Sequence, residues 1–252
     1  MQSCWQEDYK IVNYVSTDST NAEALRLIQN GCLDDYVITA DQQTQGKGSK
    51  GRNWQSLLGN LHASILLRSQ TTPIQNQQLP FLVSNAVYST LNYFAKKDKV
   101  NVNIKQKWPN DVLINGKKVA GILLESHTHN QQNYLIIGIG INILASPEQA
   151  NFLASSLVNE GIILQHTDEL LNVLMLEFRR LYQQWCIDYS FKVIRQQWLK
   201  RAYNLNKVIT IDDGHCKVSG IFKDLDFSGS LVLQMPDQTL RSFVVGDLLS
   251  KE

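Results

Sequence analysis

The segment Ile104-Lys105-Gln106-Lys107-Trp108-Pro109-Asn110-Asp111-Val112-Leu113-Ile114-Asn115-Gly116-Lys117-Lys118-Val119-Ala120-Gly121-Ile122-Leu123-Leu124-Glu125 holds two apolar runs split by Asn115-Gly116. Asn-Gly between two such runs is the strongest short-range hairpin signal, because the favoured two-residue turn needs φ > 0 at both central positions and these residues tolerate it. The reading is an antiparallel hairpin, with Trp108 to Asp111 at the far end of its first strand and both lysines beside the turn. Successive strand residues point to opposite faces. One of Lys117 and Lys118 can therefore face a buried site while the other is solvated.

Upstream, Tyr36–Ala40 reads as a short strand delivering the chain into Thr44-Gln45-Gly46-Lys47-Gly48-Ser49-Lys50-Gly51-Arg52-Asn53-Trp54. Three glycines within six residues permit φ > 0 and close backbone approach, while Lys47, Lys50 and Arg52 bring positive charge. Backbone N–H groups in such a turn form a nest for phosphate or carboxylate oxygens; a solvated basic loop would have the same composition. Neither the P-loop pattern nor G-x-G-x-x-G is present. Earlier still, Ile11–Val15 reads as a strand. Ser16-Thr17-Asp18-Ser19-Thr20-Asn21 follows as a helix-capping cluster, with Thr20 and Glu23 as a capping box, Ala22, Leu25, Leu27 and Ile28 as the apolar face, and Gly31 as the stop. Capping needs only one of these hydroxyls, so Ser19, Thr20 and Asn21 leave groups for a ligand at the positive end of the helix dipole. Leu61–Leu67 is a further strand whose His62 reads as a core or edge histidine without assigned chemistry. Leu79–Phe94 has the spacing of an amphipathic helix with Pro80 in its first turn.

Downstream, Tyr134–Ile139 runs as a strand into Gly138-Ile139-Gly140-Ile141-Asn142, where two glycines allow close approach. Residues 145–160 read as a flexible loop, and Leu170–Trp185 and Phe191–Tyr203 as helices. From Lys207 the texture changes to short β runs: Val208–Ile211, Lys217–Phe222, Leu231–Leu233 and Ser242–Val245, with turns at Asp213-Gly214 and Ser228-Gly229. That spacing fits a small SH3-like barrel.

The 252 residues suffice for one substantial core and a small second domain, and a net charge of +1 with 19% charged residues argues against a dedicated nucleic-acid binder. Cys4, Cys32, Cys186 and Cys216 are scattered, with no zinc spacing, and read as reduced thiols. No signal peptide is visible, and no apolar run reaches the roughly 18 to 20 residues of a membrane span. The expectation is a soluble, cytoplasmic protein.

Lys107-Trp108-Pro109-Asn110-Asp111 followed by Lys118-Val119-Ala120-Gly121-Ile122-Leu123, with the basic glycine loop upstream and Gly138 to Asn142 downstream, resembles the biotin protein ligases. The likeness covers nearly the whole chain in the family's order. It implies an α/β (α+β) catalytic domain of the class II synthetase-like, mixed-sheet type over residues 1–204 and a C-terminal SH3-like domain over 205–252. It also implies a bacterial, cytoplasmic enzyme, monomeric or weakly dimeric. The family reaction joins biotin and MgATP into biotinyl-5′-AMP and pyrophosphate, then passes biotin to a lysine of the biotin carboxyl carrier protein. By resemblance, Ser19, Thr20, Asn21 and Gln43 contact biotin, and Lys47, Gly48 and Ser49 lie on the loop that folds over biotin and adenylate. Lys118 holds the biotin carboxylate and the α-phosphate. Asn110 and Asp111 orient Mg²⁺ or the ribose-phosphate, Asn142 faces the adenine, and Arg52 and Trp54 belong to the nucleotide side. The resemblance does not say which residues hold the metal, and it leaves Trp108 between packing and ligand wall. The family's N-terminal helix-turn-helix finds no place before Ile11, so no DNA binding is expected.

The chain departs from the family's usual G-R-G-R-x-G-R loop at Lys47, which keeps charge without arginine's bidentate fork, and at Ser49, which has no charge. The departure bears on how tightly an adenylate is retained, with Lys50 as the residue that would compensate. The competing readings are a lipoate–protein ligase on the same fold, which the Lys107–Asp111 motif and basic loop disfavour, and a regulator or RNA-binding module built on the small barrel, which the near-zero charge disfavours.

Overall fold

The computed structural model describes residues 8–148, 152–212, 216–244 and 247–249. The larger unit begins with β1 (Lys10–Thr17), α1 (Thr20–Gln29), β2 (Tyr36–Gln43), β3 (Leu61–Ser69) and α2 (Pro73–Lys97). It continues through β4 (Ile104–Lys107), β5 (Asp111–Ile114), β6 (Lys117–His129) and β7 (Gln132–Ile141), then α3 (Thr167–Cys186) and α4 (Phe191–Arg201). One seven-stranded mixed sheet results, in the order β1-β2-β3-β7-β6-β5-β4. Only β1 and β2 run parallel, because α1 carries the chain back between them. Asn115 and Gly116 take φ of 52° and 82°, as the hairpin turn requires. The hairpin is not regular: Val112 pairs with Ala120 but Leu113 with Lys118, leaving Val119 as the extra residue of a bulge. Bulges re-aim neighbouring side chains, and here the neighbour is Lys118.

One sheet face packs on α2, α3 and α4, where Leu82, Phe94, Phe178 and Trp198 meet Ile65 and Ile137 in a continuous core. The other carries α1, whose Ala24 and Ile28 pack on Ile38, Leu66, Tyr134 and Ile136. Because α1 buries only that small patch, the rest of this face is free to form a site.

Two helix starts differ from the expectation. Ser19, not Thr20, is the N-cap of α1 and its side chain makes no capping bond. Glu23 instead accepts from Thr17 Oγ1 at 2.5 Å and pairs with Arg26 at 2.8 Å. The capping box is absent because both its members are engaged elsewhere. α2 begins at Pro73, so Pro80 lies inside the helix; the cap is Thr72, with Gln75 completing a capping box. The polar run Gln75-Asn76-Gln77-Gln78 hides this first turn from apolar periodicity.

The C-terminal unit consists of β8 (Val208–Asp212), β9 (Lys217–Leu225), β10 (Leu231–Gln234), β11 (Leu240–Phe243) and β12 (Asp247–Leu249), a five-stranded antiparallel sheet in the order β11-β10-β9-β8-β12. It has the short-strand character anticipated for an SH3-like unit; the expected turn at Asp213-Gly214 and Val245 lie outside the described residues, as does Cys4. Its Phe222, Leu225, Leu231 and Leu233 belong to the same core as the larger unit. Trp108 Nε1 donates to Gly229 O at 3.1 Å, Gln78 Nε2 donates to Phe227 O at 3.0 Å, and Arg195 pairs with Asp224. Cys32 and Cys186 are free thiols.

Candidate active site

Sheet register lays five residues side by side. His62 pairs with Gly140, Gly140 with Gly121, Gly121 with Asp111, and Asp111 with Lys107. All five line one cavity of about 1000 Å³. In the next row Ser64 pairs with Gly138 and Gly138 with Leu123. The glycines make a floor without side chains. A Cβ on Gly140 would stand 2.4 Å from the Trp54 ring, one on Gly121 2.9 Å from it, and one on Gly138 2.5 Å from Asn21 Oδ1. None of these distances is compatible with an alanine unless the neighbour moves.

One end of the floor is closed by the start of α1. Thr20 donates to Gln43 Oε1 from its backbone N–H at 2.8 Å and its hydroxyl at 3.1 Å, while Gln43 Nε2 donates to Ser56 Oγ at 2.8 Å. Ser64 Oγ lies 2.7 Å from Thr20 Oγ1 and 2.6 Å from Asn21 Oδ1; its single proton serves one of them at a time. Asn21 Nδ2 donates to Glu125 Oε2 at 2.6 Å. Ser19, also buried, lines the cavity beside them. The result is a chain of neutral donors and acceptors at a helix N-terminus, suited to a neutral polar group such as a urea rather than to a cation.

The glycine loop folds back on itself. Gly48 N–H donates to Arg52 O at 2.7 Å, Trp54 N–H donates to Gly46 O at 2.8 Å, and Lys47 bridges Asn53. Arg52 donates through Nη2 to Ser49 Oγ at 2.7 Å and through Nε to Ser49 O at 3.1 Å. This closure turns the Trp54 ring onto the glycine floor. Lys118 Nζ lies 2.7 Å from Asp111 Oδ1, 5.5 Å from the Trp54 ring centroid and 5.0 Å from that of Phe152. A cation is thus held between two aromatic faces and a carboxylate at the centre of the cavity wall.

The described part of residues 145–160 is built into the structure, which corrects the expectation of a flexible loop. Lys118 N–H donates to Leu153 O at 2.8 Å, Ser155 N–H to Lys118 O at 3.0 Å and Leu157 N–H to Asn142 O at 2.9 Å. Glu160, with its side chain 5% exposed, accepts from Ser155 Oγ at 2.6 Å, Asn115 Nδ2 at 2.6 Å and Lys117 Nζ at 3.2 Å. Burial pushes the Glu160 pKa up, but the bonds from Ser155, Asn115 and Lys117 outweigh it and leave the group below its ordinary value. The two lysines do diverge, with side chains 47% exposed at Lys117 and 18% at Lys118. Lys117 is nevertheless partnered rather than merely solvated.

The residues that the resemblance assigns to biotin, adenylate or nucleotide all line the cavity: Ser19, Thr20, Asn21 and Gln43; Lys47, Gly48 and Ser49; Arg52 and Trp54; Asn110, Asp111, Lys118 and Asn142; Lys50 does not. Not all are free for a ligand. Asn110 Nδ2 is engaged with Ile122 O at 2.6 Å, and Asn142 Nδ2 with Ser155 O at 3.1 Å. Trp108 touches the cavity but is chiefly core, 2% exposed and bonded to the C-terminal unit. Sequence reasoning missed Ser56, Ser64, Glu125 and His62; for the strand Leu61–Leu67 the clue was alternation, which puts His62 and Ser64 on one face. It also missed Thr210 and Lys217, which bring the C-terminal unit to the cavity rim. Among the described residues no group of three His, Cys, Asp or Glu side chains is placed to hold a metal ion, and Asp111 is the only carboxylate among those lining the cavity.

Residues 14–142 match the Biotin/lipoate A/B protein ligase family, and residues 205–248 match the Biotin protein ligase C terminal domain. The chain is 35% identical over 226 residues to the biotin–[acetyl-CoA-carboxylase] ligase of Paracoccus denitrificans, covering 87% of this chain and 92% of the relative. It is 28% identical over 228 residues to the enzyme of the same name from Mycobacterium tuberculosis, covering 89% and 83%. Its fold is that of the biotin protein ligase of Aquifex aeolicus solved with biotin and ATP, with a TM-score of 0.78 at 24% identity over 95% of this chain and 97% of that one. Glycine floor, helix-start polar chain and paired lysine thus occur in a chain that belongs to the biotin/lipoate A/B protein ligase family.

Proposed function

We propose that the protein activates biotin as biotinyl-5′-AMP and transfers it to a lysine of the biotin carboxyl carrier protein of acetyl-CoA carboxylase. The observation that carries this reading is the position of Lys118, held over the glycine floor between Asp111 and two aromatic rings. The neutral chain at Thr20, Gln43 and Ser64 receives the ureido ring, the floor takes the apolar bicycle, and the carboxylate then extends toward Lys118. A carboxylate oxygen attacks the α-phosphorus, the bond from that phosphorus to the bridging oxygen breaks, and pyrophosphate leaves. Two anions must approach each other, so the main contribution is a fixed positive charge that needs no reorganisation during the reaction. Lys118 supplies it, with Lys47 and Arg52 on the loop above. A magnesium ion arriving on the triphosphate would neutralise phosphate charge, and Asp111 is the residue here that would hold it, since Mg²⁺ in such sites takes one or two carboxylates plus phosphate oxygens. In the second half-reaction the acceptor amine attacks the acyl carbon, AMP leaves with the bridging oxygen, and the amine loses its proton.

The biotin reading over lipoate is supported by the match to the biotin ligase C-terminal domain and by the names of the relatives. Purified protein should exchange labelled pyrophosphate into ATP with biotin and not with lipoate, and should label a carrier domain only when its acceptor lysine is present. Exchange with lipoate alone would reject the assignment.

A further inference from the structure

We propose that His62 reads the nucleobase, its Nδ1 accepting a hydrogen bond from the exocyclic amino group of adenine. This rests on the proposed function and extends it to a residue that neither sequence motif nor loop chemistry singles out. His62 is 2% exposed and lines the cavity. Its Nε2 lies 3.3 Å from Leu57 O, and a carbonyl only accepts, so Nε2 carries the hydrogen. Burial holds the imidazole pKa below its ordinary value, which keeps the ring neutral and leaves Nδ1 as a bare acceptor. Nδ1 has no hydrogen-bond partner among the described residues. A buried acceptor of this kind costs free energy unless something satisfies it.

Asn142 repeats the situation. It is also 2% exposed; Nδ2 is committed to Ser155 O, which fixes Oδ1 as an acceptor, and Oδ1 has no partner among the described residues. Register relates the two. His62 pairs with Gly140, and Asn142 lies two residues further along the same chain, about 7 Å at strand rise and on the same face. Both residues line the same cavity, and two buried acceptors without partners among the described residues call for a group with two N–H donors; an exocyclic amine has two. Among the ligands of the proposed reaction, the biotin ureido group also carries N–H donors, but the neutral chain at Thr20, Gln43 and Ser64 stands at the other end of the floor to receive it. A ribose hydroxyl can donate once but does not span both acceptors. Guanine presents a carbonyl oxygen where adenine has the amine, so the same pair would repel it; the arrangement selects ATP over GTP by positive and negative contacts together.

The test compares wild type, His62→Gln and His62→Phe with ATP, with the triphosphate of purine riboside, which lacks only the amino group, and with GTP, in biotin-dependent pyrophosphate exchange and in direct calorimetric binding. Wild type should lose roughly 10-fold in kcat/KM for each of the two hydrogen bonds when the amine is removed. His62→Phe should lose one such factor with ATP and show a correspondingly smaller further loss with the amine-free nucleotide, that of the Asn142 bond alone, and its discrimination against GTP should shrink. His62→Gln, which can present an amide oxygen, should keep part of the discrimination. A uniform loss across the three nucleotides, with wild-type discrimination intact in His62→Phe, would mean a packing role and overturn the inference. So would a loss of discrimination between biotin and its N-methylated ureido analogue in place of discrimination at the base. If wild type shows no biotin-dependent exchange, the proposed function fails on its own. Calorimetry then decides about His62, and equal affinity for ATP and the amine-free nucleotide rejects it.

Discussion

Lys118 and Lys117 are adjacent and chemically identical, and they differ only in what the ammonium meets. Lys118 faces Asp111 and two aromatic rings inside the cavity, Lys117 faces Glu160 outside it. Lys118→Ala should therefore lower adenylate formation by about 10²-fold, the scale of losing one preorganised electrostatic donor, and Lys117→Ala by much less. Single-turnover adenylation measures both, and equal losses would reject the assignment. The divergence was legible from strand alternation alone. What alternation could not show was the bulge at Val119, nor that Lys117 would find a buried carboxylate 43 residues away in sequence. His62 was illegible for a different reason: histidine in an apolar strand is compatible with core packing, and only the orphaned Nδ1 distinguishes the two. Its burial has a consequence for stability. The folded-state pKa lies below the ordinary value of 6.5, so as pH falls below about 6.5 the unfolded chain binds this proton before the folded one does, and stability drops until the folded pKa is passed. Denaturant titrations of wild type against His62→Phe should show the wild type losing more stability between neutral and mildly acid pH; parallel curves would contradict it.

Two elements wrap the cavity, and each has a fastener that can be tested. The glycine loop was recognisable from Gly46, Gly48 and Gly51, but its internal brace, Arg52 on Ser49, depends on a three-residue return that spacing does not reveal. Arginine at position 49 would place like charges together and lose that brace, unless an anion lies between them. Ser49→Arg should then loosen the loop without ligand yet slow dissociation of biotinyl-5′-AMP, by several-fold if one contact of about 1 kcal/mol is gained. A chase of labelled adenylate is the measurement; an unchanged off-rate, with a large increase in Lys50→Ala, would put retention on Lys50. The second element, residues 152–160, read as a flexible loop because it is polar and lacks periodicity. Its order comes from backbone bonds to Lys118 and Asn142 and from the three donors that converge on Glu160. Glu160→Ala removes the common acceptor. Amide exchange should speed up from Leu153 to Leu157, and KM for ATP should rise more than KM for biotin, since this segment bonds to Asn142 and carries Phe152 beside Lys118 rather than touching the Thr20 end. Unaltered exchange there would show that the backbone bonds suffice.

At the scale of the molecule, the strand and helix patterns and the change of texture at Lys207 were enough to foresee a unit of strands and helices followed by a small β unit, while the mixed sheet was foreseen only through the family resemblance. The strand order was not foreseeable, because β3 meets β7 across a gap that no local pattern records. Nor was the continuity of the two cores. Trp108 is the joint: its ring is buried in the larger unit, its Nε1 donates to Gly229 O, and Gly229, at φ +88°, sits so close to Phe81 that a Cβ would meet the ring at 2.4 Å. Trp108 also follows Lys107 and precedes Asn110 and Asp111, all cavity residues, so the motif that marks the site is also the seam between units. The 204/205 boundary proposed from sequence therefore separates textures, not independently packed bodies. Trp108→Phe keeps an aromatic ring in place but leaves the buried Gly229 carbonyl unpaired and removes part of the indole. The expected cost is about 1–3 kcal/mol for the orphaned acceptor, with packing loss added. Because one core runs through both units, that loss should appear as a lower midpoint in a single transition followed by far-UV and tryptophan signals alike. Two separated transitions, with the larger unit's midpoint unchanged, would show that the seam is mechanically dispensable and that the units fold apart.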